Sequence, residues 1–76
     1  MRTLDEVRRD IDVIDSTLAV LVADRVRLSR EAKAVKVEMG IGRVDPTREE
    51  AIVEKYGEGA AREVGRRIVE ACRDLA

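Results

Sequence analysis

Ten apolar side chains and one arginine fall on a single stripe in the first half of this chain. Leu4, Val7, Ile11, Ile14, Leu18, Leu21, Arg25, Leu28, Ala32, Val35 and Met39 follow one another at alternating threes and fours. That spacing is the seam of a long core-facing helix. "TLDE" at 3–6 has the form of a capping box, with Thr3 as the cap and Glu6 reaching back, so the helix is expected to start there. Gly40 offers a left-handed cap after Met39, with Ile41 as the accompanying apolar residue.

The rest of the chain reads as two shorter helices. "GIGRV" at 40–44 is expected to be a loop, and Asp45 to cap a second helix with Pro46 in its first turn. The glycines of "YGEG" at 56–59 should end that helix. A third should follow, presenting Val64, Ile68, Cys72 and Leu75 on one face with Ala71 beside them. The expectation is an all-α chain forming one helical domain over residues 1–76.

Length decides what this domain needs. The first helix, of about 36 residues, should be roughly 54 Å long. The two others together supply roughly 27 residues, too few to cover its stripe. Soluble monomers avoid exposing so large an apolar patch. A second copy of the first helix is the simplest cover, so an intertwined antiparallel homodimer is expected, its stability inseparable from association.

Composition narrows the chemistry. There is no histidine, one cysteine and one aromatic residue, Tyr56. The commonest acid–base catalyst and metal ligand is therefore missing, and neither an intrachain disulfide nor a multi-cysteine metal site can form. Charged residues make up 41% of the chain yet leave a net charge of −1, with the two signs interspersed, so a general nucleic-acid binder is disfavoured. No apolar run approaches a membrane span, and the charged start "MRTLDEVRRD" has no signal-peptide core. A soluble cytoplasmic protein is expected.

Arg25 then requires an explanation. A polar residue in a seam can simply fix register and oligomeric state. Lys36, however, lies eleven residues on, near three full turns, so both point from nearly the same face. About 16 Å apart along the axis, the two could hold a small anionic molecule between them. Lys33 and Arg30 fall on other faces and read as solvated charges. Arg8 lies about 25 Å before Arg25 and could share a ligand with it only across an antiparallel partner. In "DPTREE" at 45–50, Asp45 is accounted for by capping, while Arg48 and Glu49 are free to face inward or outward.

Taken together, "VRRDIDVID" at 7–15, "LVADRVRLSREAKAVK" at 21–36, "DPTREE" at 45–50 and "IVEACRDLA" at 68–76 resemble the all-helical class of chorismate mutases. The joint spacing of Arg8, Arg25, Lys36, Asp45, Arg48 and Glu49 is the most specific part of the resemblance. It implies a homodimer of three-helix subunits in which each site borrows one arginine from the other chain. By that resemblance, Arg25 and a partner's Arg8 would grip the substrate's two carboxylates. Lys36 would bind a carboxylate and the oxygen of the breaking ether bond. Glu49 would take the ring hydroxyl, helped by the backbone near Asp45, with Arg48 supporting the site electrostatically. The reaction implied is the rearrangement of chorismate to prephenate, toward phenylalanine and tyrosine, which uses no metal or cofactor.

Two positions depart from the family's pattern. The family usually has Gln or Glu where this chain has Ala76, its last residue, to donate to the ether oxygen. It often has Ser where this chain has Cys72, near a substrate carboxylate. The second and third helices are also several residues shorter than in better-known members. A partner enzyme of the same pathway could then complete the site. Two other readings stay open: a same-fold enzyme acting on isochorismate or an amino-chorismate, and a non-catalytic helical module that regulates or docks onto a biosynthetic partner. Asp45 and Glu49 weigh against the pyruvate-eliminating lyases of this fold, which tend to lack that acidic pair.

Overall fold

Thr3 opens the first helix as its sequence requires. Its hydroxyl accepts from the Glu6 backbone N–H at 3.1 Å while the Glu6 carboxylate takes the Thr3 N–H at 3.4 Å. The computed structural model describes residues 1–42 and 44–76; Arg43, inside the loop expected over 40–44, lies outside the described residues. The described residues form three helices, α1 (Leu4–Met39), α2 (Pro46–Lys55) and α3 (Ala60–Asp74). At 36 residues, α1 accounts for the 56 Å long axis of the molecule.

Local chemistry sets each boundary. Gly40 takes φ 68°, and the Ile41 N–H returns to the Lys36 carbonyl at 2.9 Å, closing α1 with a Schellman-type turn. Asp45 caps α2 by accepting from the Arg48 N–H at 3.1 Å, with Pro46 in the first turn, where its missing N–H costs nothing. Gly57 and Gly59, at φ 110° and 61°, turn the chain from α2 into α3.

The core is small and lies between α2 and α3. Val53, Val69 and Cys72 are its buried hydrophobic residues, and Gly65 is buried among them. The face of α3 that carries Val64, Ile68, Cys72 and Leu75 is only partly covered within the single chain. Val64 and Leu75 are exposed, Ile68 is half-buried, and Gly65 and Val69 take the inward positions with Cys72. Tyr56 is the reason. A Cβ on Gly65 would lie 2.5 Å from Cγ and Cδ2 of the Tyr56 ring, so the absence of a side chain lets the tyrosine seat against α3. A glycine contributes nothing to an apolar periodicity, yet here it defines the contact.

Helix α3 packs on both α2 and α1. Across α2 and α3, Arg62 and Arg66 both pair with Glu50, the latter at 3.7 Å. These exposed pairs add little stability. No residue of α1 is buried, and its stripe stays open, with Ile14 57%, Leu18 47% and Leu28 52% exposed. The length argument thus holds for the single chain: α2 and α3 leave the seam of α1 uncovered.

Candidate active site

The second half of α1, the start of α2 and the end of α3 enclose a cavity of about 330 Å³. Small-molecule sites typically begin at about this size. Helix α1 lends Arg25, Ser29, Lys33 and Lys36, α2 lends Arg48, Glu49 and Ile52 behind their cap Asp45, and α3 lends Val69, Cys72 and Arg73. Five cations thus face two carboxylates around one concave surface.

Arg25 is half-buried, and its Nη1 lies 3.5 Å from the Ser29 hydroxyl, one turn on. That distance is at the limit of a hydrogen bond. No carboxylate pairs with Arg25 among the described residues. Lys36 is half-buried on the same wall, at the end of α1, as its eleven-residue spacing from Arg25 requires. Cys72 is a free, buried thiol whose side of α3 also borders a second, largely apolar cavity of about 300 Å³ with Val22, Val26, Val64, Ile68 and Ala71.

Glu49 is held from α3. Arg73 Nη1 donates to Glu49 Oε1 at 3.1 Å, and its Nε and Nη2 donate to the two oxygens of Asp74 at 2.8 and 3.2 Å. The hydrogen bond and charge of Asp74, reinforced by Glu49, hold the Arg73 guanidinium protonated well above its ordinary range. Both side chains are part-buried.

Arg25, Lys36, Asp45, Arg48, Glu49 and Cys72, all singled out in the sequence, come together here. Asp45 uses its carboxylate as the α2 cap, and Arg48 is exposed at the rim. Arg8 is not brought to this cavity. It is exposed on α1, roughly 25 Å along the helix from Arg25.

Two lining cations were not anticipated. Lys33 was expected to be a solvated charge, but it is half-buried, lines the cavity and donates to the backbone carbonyl of Ala76. The end of α3 folds over α1 and makes the cavity wider than one helical stripe. Arg73 carries a signal that the sequence did offer: it lies four residues after the buried Val69 and next to the buried Cys72. A cation at the margin of an apolar face is the pattern that drew attention to Arg25.

Among the described residues, no group of three His, Cys, Asp or Glu side chains could hold a metal ion. No helix is long and apolar enough to cross a membrane.

No solved structure gives a significant match. A chorismate mutase of Methanocaldococcus jannaschii is 36% identical over 52 residues, covering 68% of this chain and 52% of that protein. The chain therefore spans about half the length of the curated relative it matches. The sequence profile of the family described as chorismate mutase type II matches residues 7–75, nearly the whole length. The chain belongs to the type II chorismate mutase family.

Proposed function

We propose that this chain is a chorismate mutase, an isomerase that rearranges chorismate to prephenate in the branch toward phenylalanine and tyrosine. The observation that carries the reading is the convergence of Arg25 and Lys36 from α1 with Glu49 from α2 on one cavity of about 330 Å³. An excess of cations around that cavity suits a dicarboxylate.

The reaction is intramolecular. One carbon–carbon bond forms as the ether carbon–oxygen bond breaks, and no proton or electron has to be supplied. A site without histidine is chemically sufficient for it. Arg25 anchors a carboxylate, for which a planar guanidinium is suited. Lys36 stabilises the charge that grows on the ether oxygen, and Glu49 accepts from the ring hydroxyl. Arg48 adds positive potential at the rim, and Cys72 lies against a carboxylate. Holding the substrate folded, with the bonding carbons close, supplies the remainder.

Within the single chain Arg8 stays roughly 25 Å along α1 from Arg25, and the exposed seam of α1 supports how a second copy would bring one to the cavity. Residues 1–76 form one helical domain that pairs as an intertwined, antiparallel homodimer in the cytoplasm. Each chain then covers the other's seam and lends Arg8 to the other's site. Purified protein should deplete the absorbance of chorismate and yield prephenate, and an unchanged absorbance would refute the activity. Sedimentation at low micromolar concentration should report roughly twice the 8.5 kDa chain mass, and a folded monomer would refute the shared site.

A further inference from the structure

We propose that Arg73 is a positioning residue for this reaction: it fixes the carboxylate of Glu49 from α3 so that the ring hydroxyl of the substrate meets a preset acceptor. The inference rests on the role proposed above for Glu49.

The geometry points to Arg73 because its guanidinium is held at both ends. Asp74 takes Nε and Nη2 at 2.8 and 3.2 Å, a two-point contact that fixes the plane of the group. The remaining edge then projects across the gap between α3 and α2, where Nη1 meets Glu49 Oε1 at 3.1 Å. Glu49 needs such a partner. Its backbone is fixed, the N–H bonding to the Asp45 carbonyl at 3.0 Å in the first turn of α2, but its side chain carries several rotatable bonds. Within one chain, Arg73 is the described residue that holds that carboxylate. Oε1 is engaged, and the carboxylate keeps acceptor capacity for a hydroxyl in the cavity.

A part-buried ion pair that solvent still reaches contributes modestly to stability. Its value lies in direction. A lysine at position 73 would keep the charge and lose the fork, because an ammonium cannot bind Asp74 through two parallel N–H groups and reach Glu49 along a fixed edge.

A double-mutant cycle tests this. Arg73→Met should lower kcat/KM about tenfold in the parent, the scale expected for residues coupled in one network, with little change in melting temperature. In a Glu49→Gln background the same change should cost less than about twofold, since Arg73 acts through Glu49. Arg73→Lys should fall with Arg73→Met. Equal losses in both backgrounds, or full activity in Arg73→Lys, would overturn the inference while leaving the function intact. A parent without turnover would refute the function instead. The 13C carboxyl signal of Glu49 then decides the inference without substrate: Arg73→Met should shift and broaden it, and an unmoved signal would overturn it.

Discussion

Lys33 of α1 donates its ammonium group to the backbone carbonyl of Ala76, 43 residues along the chain. The bond ties the last turn of α3, which carries Cys72 and Arg73, to the helix that carries Arg25 and Lys36. Lys33→Met keeps the aliphatic stem and removes the donor. It should cost about 1 kcal/mol of stability, less than the ~1.5–3 kcal/mol of a well-buried charged hydrogen bond because the site is partly exposed. Amide exchange at Leu75, whose N–H bonds to the Ala71 carbonyl at 2.8 Å, should quicken as the end of α3 loosens. Unchanged exchange there would mean that the end of α3 is held by other contacts.

Gly65→Ala tests the packing of α2 on α3. Alanine in a helix interior gains about 1 kcal/mol of intrinsic propensity over glycine. Against this, the new Cβ would meet Tyr56 at 2.5 Å from ring atoms and 2.8 Å from its Cβ, so the ring and its backbone must shift. Overpacking of this kind costs about 1–3 kcal/mol, and the net effect should be destabilising. Thermal melting decides the sign.

Arg25→Met separates a ligand anchor from a structural ion. Arg25 has no carboxylate partner among the described residues, and its contact with Ser29 is weak. Replacing it with an apolar side chain of similar reach leaves no buried charge stranded. The variant should lose turnover and melt no lower than the parent. Unfolding, or loss of pairing, would instead assign Arg25 to register.

Arg8→Ala and Arg25→Ala probe the proposed shared site in combination. Each should be inactive as a homodimer. Refolded together, some heterodimers would carry one site with both arginines and one with neither, so activity should partly return. No recovery despite demonstrated subunit exchange would place Arg8 outside the site.

Ala76 offers a gain-of-function test. It is half-buried, and its carbonyl is held by Lys33, so a longer side chain there would start from an anchored backbone. Ala76→Gln would add an N–H donor of the kind the family offers to the ether oxygen. Donors in preorganised oxyanion sites contribute about 10²–10³-fold, and a roughly tenfold rise in kcat is expected from an imperfectly placed one. KM should change little, because the gain belongs to the transition state. An unchanged kcat would mean that Lys36 already serves that oxygen fully.

The helix boundaries were legible because they are written in short-range chemistry. "TLDE", Gly40 and the Asp45–Pro46 pair each act within about one turn, and each acts in the structure as its sequence implies. Arg25 and Lys36 share a wall because their spacing on one continuous helix is fixed by the helix itself. What could not be read depends on contacts between elements. The inward face of α3 follows from a ring seated on Gly65, and the part played by Lys33 follows from where α3 ends. Arg8 is a different case. Its position on α1 is legible, but in the proposed dimer its partner surface would belong to a second copy.

The corner at Gly40 carries a consequence for heat. The Lys36 carbonyl is the acceptor on which the Ile41 N–H closes α1, while the Lys36 side chain lines the cavity. One residue therefore ends the helix and lines the proposed site. Helix ends open locally at far lower free energy than the whole fold, so warming should loosen this turn well below the global transition. The ammonium group then loses its aim while helicity is nearly intact. Thermal inactivation should precede melting, and the gap between the two curves would measure the strength of a single turn.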